Sequence, residues 1–178
     1  TVLDHVEPSF ASTRVHVPPS VAEVWGFFAA EGHAAIADPA ELANNTNRYL
    51  WNLANTEKAV LQQYEAVLRE WHLRDFYYVE DNTRCLRNPA HKVCWRLWPR
   101  DQKDLALFYR EKFYTAAGRK QVPGEILNGS VEVAAAFLRG YEIGDGHVMR
   151  LSRDGLPLWI YKTNSPILAA GLLALTRK

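Results

Sequence analysis

The residues best suited to chemistry lie in segment 84–103, where positive side chains alternate with flat aromatic rings. The only acid in this segment is Asp101. Arginine and lysine can neutralise phosphates with release of counterions, and tryptophan can stack on unpaired bases. Arginine and tryptophan are also common anchors of protein–protein interfaces. The candidate partner-binding residues, called the basic–aromatic segment below, are Arg84, Arg87, Lys92, Trp95, Arg96, Trp98 and Arg100.

The basic–aromatic segment has three interpretations: an RNA-binding surface, a docking surface for another protein, and an ordinary solvated face with core tryptophans. Lys92, Arg96 and Arg100 recur every four residues, as on one face of a helix, but Pro99 argues against a continuous helix through all three. The whole chain has 21 Lys and Arg against 20 Asp and Glu, a formal net charge of +1. General nucleic-acid binders are usually more basic, so the balance favours protein docking.

No local pattern in the sequence is typical of a metal, cofactor or catalytic site. Cys85, His91 and Cys94 could supply three metal ligands, but structural zinc takes four and no Cys-x-x-Cys element is present. The segment 144–146 is interpreted as a turn, and no nucleophile elbow, phosphate loop or dinucleotide fingerprint occurs. We therefore expect no catalytic, cofactor-binding or metal-binding residues. An enzyme whose active site combines distant residues remains an alternative.

The elements that would position these side chains are mostly helices. The chain has 178 residues with 48% hydrophobic content, enough for one core. An extended arm is expected over 1–19 and a single helical domain over 20–178. The clearest helix covers 56–73, where Val60, Tyr64, Val67 and Trp71 recur at helical spacing.

Two features near the end of the chain add detail to this prediction. A small β-hairpin is possible near 147–161, because Arg153-Asp154-Gly155 is a turn signal between two apolar runs. Ser165 and Pro166 then begin a short helix that is apolar nearly all round, so we expect it to be buried in this domain or in a partner. In total the sequence predicts a mostly α fold of about six or seven helices in antiparallel hairpins.

One pair of segments resembles a pentatricopeptide-repeat hairpin. The first is Tyr49-Leu50-Trp51-Asn52-Leu53-Ala54, and the second covers 57–70 after a break at Asn55. The segment 103–118 is similar to a second helix of this kind, although no regular repeat period runs along the chain. The resemblance implies a degenerate helical-repeat array.

A small neutral helical protein of this kind is similar to the pentatricopeptide-like accessory subunit of euglenozoan mitochondrial F-type ATP synthase. That resemblance implies a non-catalytic assembly subunit, docked on the alpha subunit of the catalytic head. The start at Thr1 rather than Met suggests a processed protein of the mitochondrial matrix. The alternatives are an organellar RNA-binding helical-repeat protein, in the mitoribosome or in RNA processing, and the enzyme with a non-local site. No apolar stretch approaches the roughly 20 residues of a transmembrane helix.

Overall fold

A computed structural model describes residues 16–37, 48–150 and 157–178. The chain alternates helices and strands. The helices are α1 (Pro19–Glu31), α2 (Lys58–His72), α3 (Thr83–Arg87), α4 (Lys103–Phe113), α5 (Gly124–Leu127), α6 (Val131–Asp145) and α7 (Pro166–Leu175). The strands are β1 (Gly32–Ile36), β2 (Tyr49–Asn55), β3 (Phe76–Asp81), β4 (Cys94–Pro99), β5 (Gly146–Arg150) and β6 (Pro157–Tyr161).

The strands form two antiparallel sheets, and the prediction of a mostly α helical-repeat fold is therefore wrong. The larger sheet has the order β1-β2-β4-β3, and β5 pairs with β6 in a separate hairpin. The segment 49–54, interpreted above as the first helix of a repeat, is strand β2. It pairs Trp51 with Ala34 of β1 and Leu53 with Leu97 of β4. Short apolar runs fit helix and strand equally well, and here pairing with two neighbouring strands decides the outcome.

One face of the larger sheet carries the core. Helices α1, α2 and α4 contact this sheet, and Trp51 on β2 is fully buried among aromatic rings. Its ring centroid lies 6.0 Å from that of Phe28, 5.8 Å from Phe76 and 5.3 Å from Tyr109. Strand residues alternate between faces. The opposite face, called the outer face below, therefore carries residues next to the buried positions, among them Tyr77 and Arg96.

Helices α1 and α6 approach each other more closely than side chains would allow. A Cβ atom added to Gly26 would lie 1.8 Å from the carbonyl oxygen of Phe137, and one added to Gly140 would lie 1.8 Å from that of Glu23. Farther along, a Cβ on Gly144 would lie 2.5 Å from that of Ala30. The contacts move towards the C-terminus on both helices at once, from Glu23 and Gly140 to Ala30 and Gly144. The two helices therefore run parallel, and their C-terminal ends lie side by side.

Several element predictions are confirmed. The helix expected over 56–73 is α2, and the hairpin expected near 147–161 is formed by β5 and β6. The final helix begins as expected, with the Ser165 hydroxyl accepting a hydrogen bond from the backbone N–H of Leu168. Residues 1–15 of the expected arm lie outside the described residues, and 16–18 have no regular structure. The single-domain expectation stays a prediction. Within the described ranges, none of the helices has the length and apolarity needed to cross a bilayer.

The close packing of α1 and α6 predicts that Gly26→Ala lowers the free energy of unfolding by about 1–3 kcal/mol, because the new methyl group overlaps a backbone carbonyl. Urea denaturation measures the change. Gly124→Ala is the matched control, since nothing lies within 4 Å of a Cβ at that position, and we expect a change of about 0.5 kcal/mol or less. Equal stability of the two variants would contradict the close approach.

Candidate functional site

The two closely packed helices end in matching sequences. Segment 26–33 reads Gly-Phe-Phe-Ala-Ala-Glu-Gly-His, and segment 140–147 reads Gly-Tyr-Glu-Ile-Gly-Asp-Gly-His. In each segment the acid is the last residue of the helix, and the following glycine begins a strand. Because α1 and α6 are parallel and in step, Glu31 and Asp145 lie at the same end of the pair.

The pKa values of both carboxylates are raised, and Asp145 contributes to the shift of Glu31. Burial raises the pKa of Glu31, and the nearby Asp145 raises it further, whereas Lys120 and Arg84 oppose the shift. Burial likewise raises the pKa of Asp145, and Lys120 and Lys162 oppose it. The negative ends of both helix dipoles add to the repulsion between the carboxylates. The site therefore concentrates negative charge and needs nearby cations.

Lys120 supplies one such cation from the segment between α4 and α5. Its Nζ donates hydrogen bonds to carbonyl oxygens in the last turn of α1 and beyond, at 2.9 Å to Ala29 and 2.7 Å to Gly32. These carbonyls have no partner within the helix. Burial lowers the pKa of Lys120 to about 8, while Asp145 and Glu31 act to raise it. Lys120 thus caps α1 and offsets the charge of both acids.

A cavity of about 930 Å³ opens beside the helix ends. Asp145, Lys120, Lys162 and His33 lie on its wall, with Tyr114 among the other lining residues. Burial lowers the pKa of His33, and the positive charges of Lys120, Arg110 and Arg96 lower it further. A carboxylate, two lysines and an imidazole around one space form a suitable setting for an anion that is held together with a metal cation.

The structure divides the basic–aromatic segment between helix α3, a loop and strand β4. Arg84 and Arg87 are exposed on α3, and Lys92 and Arg100 are exposed on either side of β4. The two tryptophans lie on opposite faces of the sheet, since they are separated by three positions of a strand. A protein or nucleic acid on one face therefore cannot contact both rings of β4.

On β4, Trp95 belongs to the core side and Arg96 to the outer face. The Trp95 ring packs against the core, with Lys58 Nζ lying 4.3 Å from its centroid. Arg96 donates to the Asp81 carboxylate of β3. The charges of Arg84 and Arg96 act on Glu31 and His33, respectively. Part of the segment thus lies near the paired acids.

The three residues weighed as metal ligands do not form a ligand set. The Cys85 thiol donates to the carbonyl oxygen of His91 at 3.1 Å, and Cys94 lies at the start of β4. In the part of the chain that the structure describes, no three His, Cys, Asp or Glu side chains lie close enough to hold an ion by themselves.

Comparison with known proteins finds a partial similarity to a viral DNA polymerase. No family model matches the chain. A DNA polymerase of Acanthamoeba polyphaga mimivirus is 29% identical over 147 residues. The match covers 82% of this chain and 8% of that protein, so the chain spans only a small part of the length of its relative.

The similarity and the fold overturn the functional predictions. A mixed fold with a four-stranded antiparallel sheet is not a pentatricopeptide-like array. The assignment to a non-catalytic accessory subunit of ATP synthase is also wrong, because the similarity is to a DNA polymerase. The expectation that the chain is not an enzyme is contradicted for the same reason. Docking on the alpha subunit and a place in the mitochondrial matrix stay untested predictions.

The sequence reasoning missed Glu31 and Asp145 because no short motif joins them. The signal that could have found them is the internal repeat of glycine, aromatic residue, acid, glycine and histidine at one fixed spacing. Interpreting 144–146 as a turn hid the second copy of this repeat.

Replacing Lys120 with methionine keeps most of the side-chain volume but removes the donor to the α1 carbonyls. We expect the free energy of unfolding to fall by about 1–3 kcal/mol, because buried carbonyls lose their partner. Arg119→Met, a change at the exposed neighbouring residue, is the control and should alter stability by about 0.5 kcal/mol or less. Urea denaturation at pH 7 measures both.

The lowered pKa of Lys120 also predicts a pH dependence of stability. This pKa is about 8 in the folded chain, against an ordinary value of 10.5. Between these values the unfolded chain binds more protons than the folded chain, so the contribution of Lys120 makes stability rise with pH. Unfolding measured from pH 8 to 10.5 should show the wild type gaining stability relative to Lys120→Met. A constant difference would contradict the lowered pKa.

Proposed function

We propose that the paired helix ends form a divalent-cation-dependent site that cleaves phosphodiester bonds in DNA. The observation that carries the proposal is the convergence of Glu31 and Asp145 at one end of two glycine-packed helices. Both carboxylates are half-buried, and the charge of Asp145 raises the pKa of Glu31, so it is costly to hold the two ionised groups together. A bound cation would offset that cost and would give the arrangement a chemical role.

The residues present fit Mg²⁺ better than zinc. Magnesium keeps several waters and is usually bound by one or two carboxylates together with phosphates of the substrate. Two carboxylates without a third side-chain ligand match that pattern, and neither cysteine is among the residues that line the cavity. A divalent cation held by Glu31 and Asp145 would stabilise negative charge on the phosphate as a Lewis acid.

Asp145 lines the cavity and Glu31 lies next to the lining residues Ala30 and Gly32, and the polar residues around Asp145 have roles in binding and orientation. Lys162 and the exposed ring of His33 can donate to phosphate oxygens beside Asp145. Lys120 donates to backbone carbonyls at the end of α1, so it stabilises the helix end that carries Glu31. Its positive charge also lowers the pKa of both acids, which favours the ionised form that binds a cation.

The similarity to a DNA polymerase supports DNA as the substrate. Polymerases and nucleases both use acidic side chains and divalent cations at phosphodiester bonds. Because the match covers only 8% of the polymerase, it supports handling of DNA rather than the polymerase reaction. Cleavage is the simpler reaction, because it requires no nucleotide site beside the phosphate.

The repeat at the helix ends suggests that both strands of a duplex are cut. The contacts of Gly26 and Gly140 correspond to each other, so α1 and α6 are related by an approximate two-fold axis. A DNA duplex has its own two-fold axes, and proteins with two-fold symmetry bind it in register with them. Glu31 and Asp145 would then occupy equivalent positions relative to the two strands.

This proposal predicts Mg²⁺-dependent conversion of supercoiled DNA containing a recognised site into linear DNA. A plasmid library with random inserts supplies candidate sites, and gel electrophoresis measures the product. Glu31→Gln and Asp145→Asn should each reduce cleavage by about 10²-fold or more, because each removes charge that would hold the cation.

The matched control is Glu70→Gln, which removes an exposed carboxylate from α2. It should cleave as the wild type does. All variants should keep the circular dichroism spectrum of the wild type, so that a loss of activity reports chemistry and not unfolding. Cleavage that persists in both acid variants, or that needs no divalent cation, would refute the proposed site.

A further inference from the structure

Arg96 is a charged residue of the outer face whose guanidinium is hydrogen-bonded to a neighbouring carboxylate. It lies in the middle of β4, between Val79 of β3 and Ala54 of β2 in the pairing register. Both neighbours are small and uncharged, so neither covers the guanidinium nor competes for it. The Arg96 side chain keeps 37% of its surface exposed.

Asp81 fixes the orientation of this guanidinium. Arg96 Nε and Nη2 both donate to Asp81 Oδ2, at 3.1 Å and 2.8 Å. Asp81 is held in turn by the start of α3, because its Oδ1 accepts from the backbone N–H of Thr83 at 3.1 Å. One edge of the guanidinium is thus fixed by an ionic contact, and the remaining N–H groups are left to donate elsewhere.

The surroundings of Arg96 form a shallow recess of about 460 Å³. Tyr77 and Val79 are each about two-fifths exposed there, and Trp98 lies beside them. The polar residues of the lining, besides Arg96 and Asp81, are Glu80, Asn82, Thr83 and Gln102. A recess that combines one oriented donor pair, exposed apolar side chains and further polar groups suits the edge of a base pair, where hydrogen bonds and methyl contacts are both available. Binding of a backbone phosphate, by contrast, would require only a positive charge and not an oriented donor pair.

The recess belongs to the same surface as the paired acids. The positive charge of Arg96 acts on His33, which lies on the wall of the cavity beside Asp145. His33 itself is on the outer face, because it pairs with Asn52 next to the inward pair of Ala34 and Trp51. A duplex cleaved at the helix ends would therefore pass over this face.

We infer that Arg96, oriented by Asp81, reads a guanine in the major groove of the DNA substrate. The inference rests on the proposed function, since it takes the duplex bound at the helix ends as the ligand. Arginine pairs through two N–H groups with O6 and N7 of guanine, which is the commonest specific contact to a base. The deep, narrow major groove of RNA duplexes would not admit the sheet, so the geometry favours DNA.

Selection from a random DNA duplex library tests this inference, in buffer without divalent cations so that binding is separated from cleavage. The wild type should select sites with guanine at one defined position. Arg96→Ala should reduce the preference for guanine at that position by about 10-fold or more and leave the other positions unchanged. Arg96→Lys keeps the charge but not the paired donors, so it should lose the preference as well.

The Asp81→Asn variant distinguishes recognition of guanine by Arg96 from non-specific electrostatic attraction to DNA. The substitution removes a negative charge, so a purely electrostatic role of Arg96 predicts tighter binding with the same selected sites. A reading role predicts a weaker guanine preference, because the guanidinium is no longer oriented. Arg177→Ala, at an exposed position after α7, is the control and should select the same sites as the wild type.

The inference is overturned if Arg96→Ala selects the same guanine as the wild type, or if the wild type selects no guanine at all. Preferential binding of duplex RNA would overturn it too. If the protein cleaves DNA but shows no preference for guanine, the inference about Arg96 is wrong and the proposed function is still supported. Selection of the guanine by a protein that never cleaves would instead count against the proposed function.

Discussion

The contact between α1 and α6 is the constraint on which the arrangement of the site depends. Two backbones meet where no Cβ atom could fit, at Gly26 and Gly140. This contact keeps the helices parallel and in step, and it brings the negative ends of both dipoles together with two carboxylates. The electrostatic cost is offset in part by Lys120, which donates to the end of α1.

The sheet and its aromatic core hold the first of these helices in place. Phe28 of α1 packs on Trp51 and Tyr109, and Trp25 packs on Phe113. Burial of rings of this size stabilises a small domain strongly. Because the core occupies one face of the sheet, Tyr77 of β3 and Arg96 and Trp98 of β4 lie on the outer face. The division of faces thus leaves a surface beside the acids available for a substrate.

Helices with strong local signals and the β5–β6 hairpin could be predicted from the sequence, whereas the strands of the larger sheet could not. Helix α2 has a long amphipathic pattern without glycine or proline, and α6 begins at Ser130, whose hydroxyl accepts from the backbone N–H of Val133. Strands β2 and β4 are short and rich in tryptophan and leucine, so the spacing of their apolar residues does not distinguish a strand from a helix. Their pairing depends on residues far apart in the chain.

The same distance in sequence explains what was missed at the candidate site. The basic–aromatic segment was visible because its residues are neighbours in the sequence, but its division between two sheet faces was not. Glu31 and Asp145 come together only through the helix contact, and each by itself is an ordinary acid at the end of a helix. The glycines that permit the contact look like helix stops or turns when they are considered singly.

The glycine contact has a consequence for assembly. The glycine of each helix packs against a backbone carbonyl of the other helix, so α1 and α6 contact each other through nearly equivalent surfaces. This self-complementarity is the defining property of an isologous interface, as in a two-fold symmetric dimer. The contact joins two segments of one chain here, and the same geometry would serve equally well between two separate chains. Within one chain, the connection between the helices raises the local concentration of each for the other, which favours their pairing.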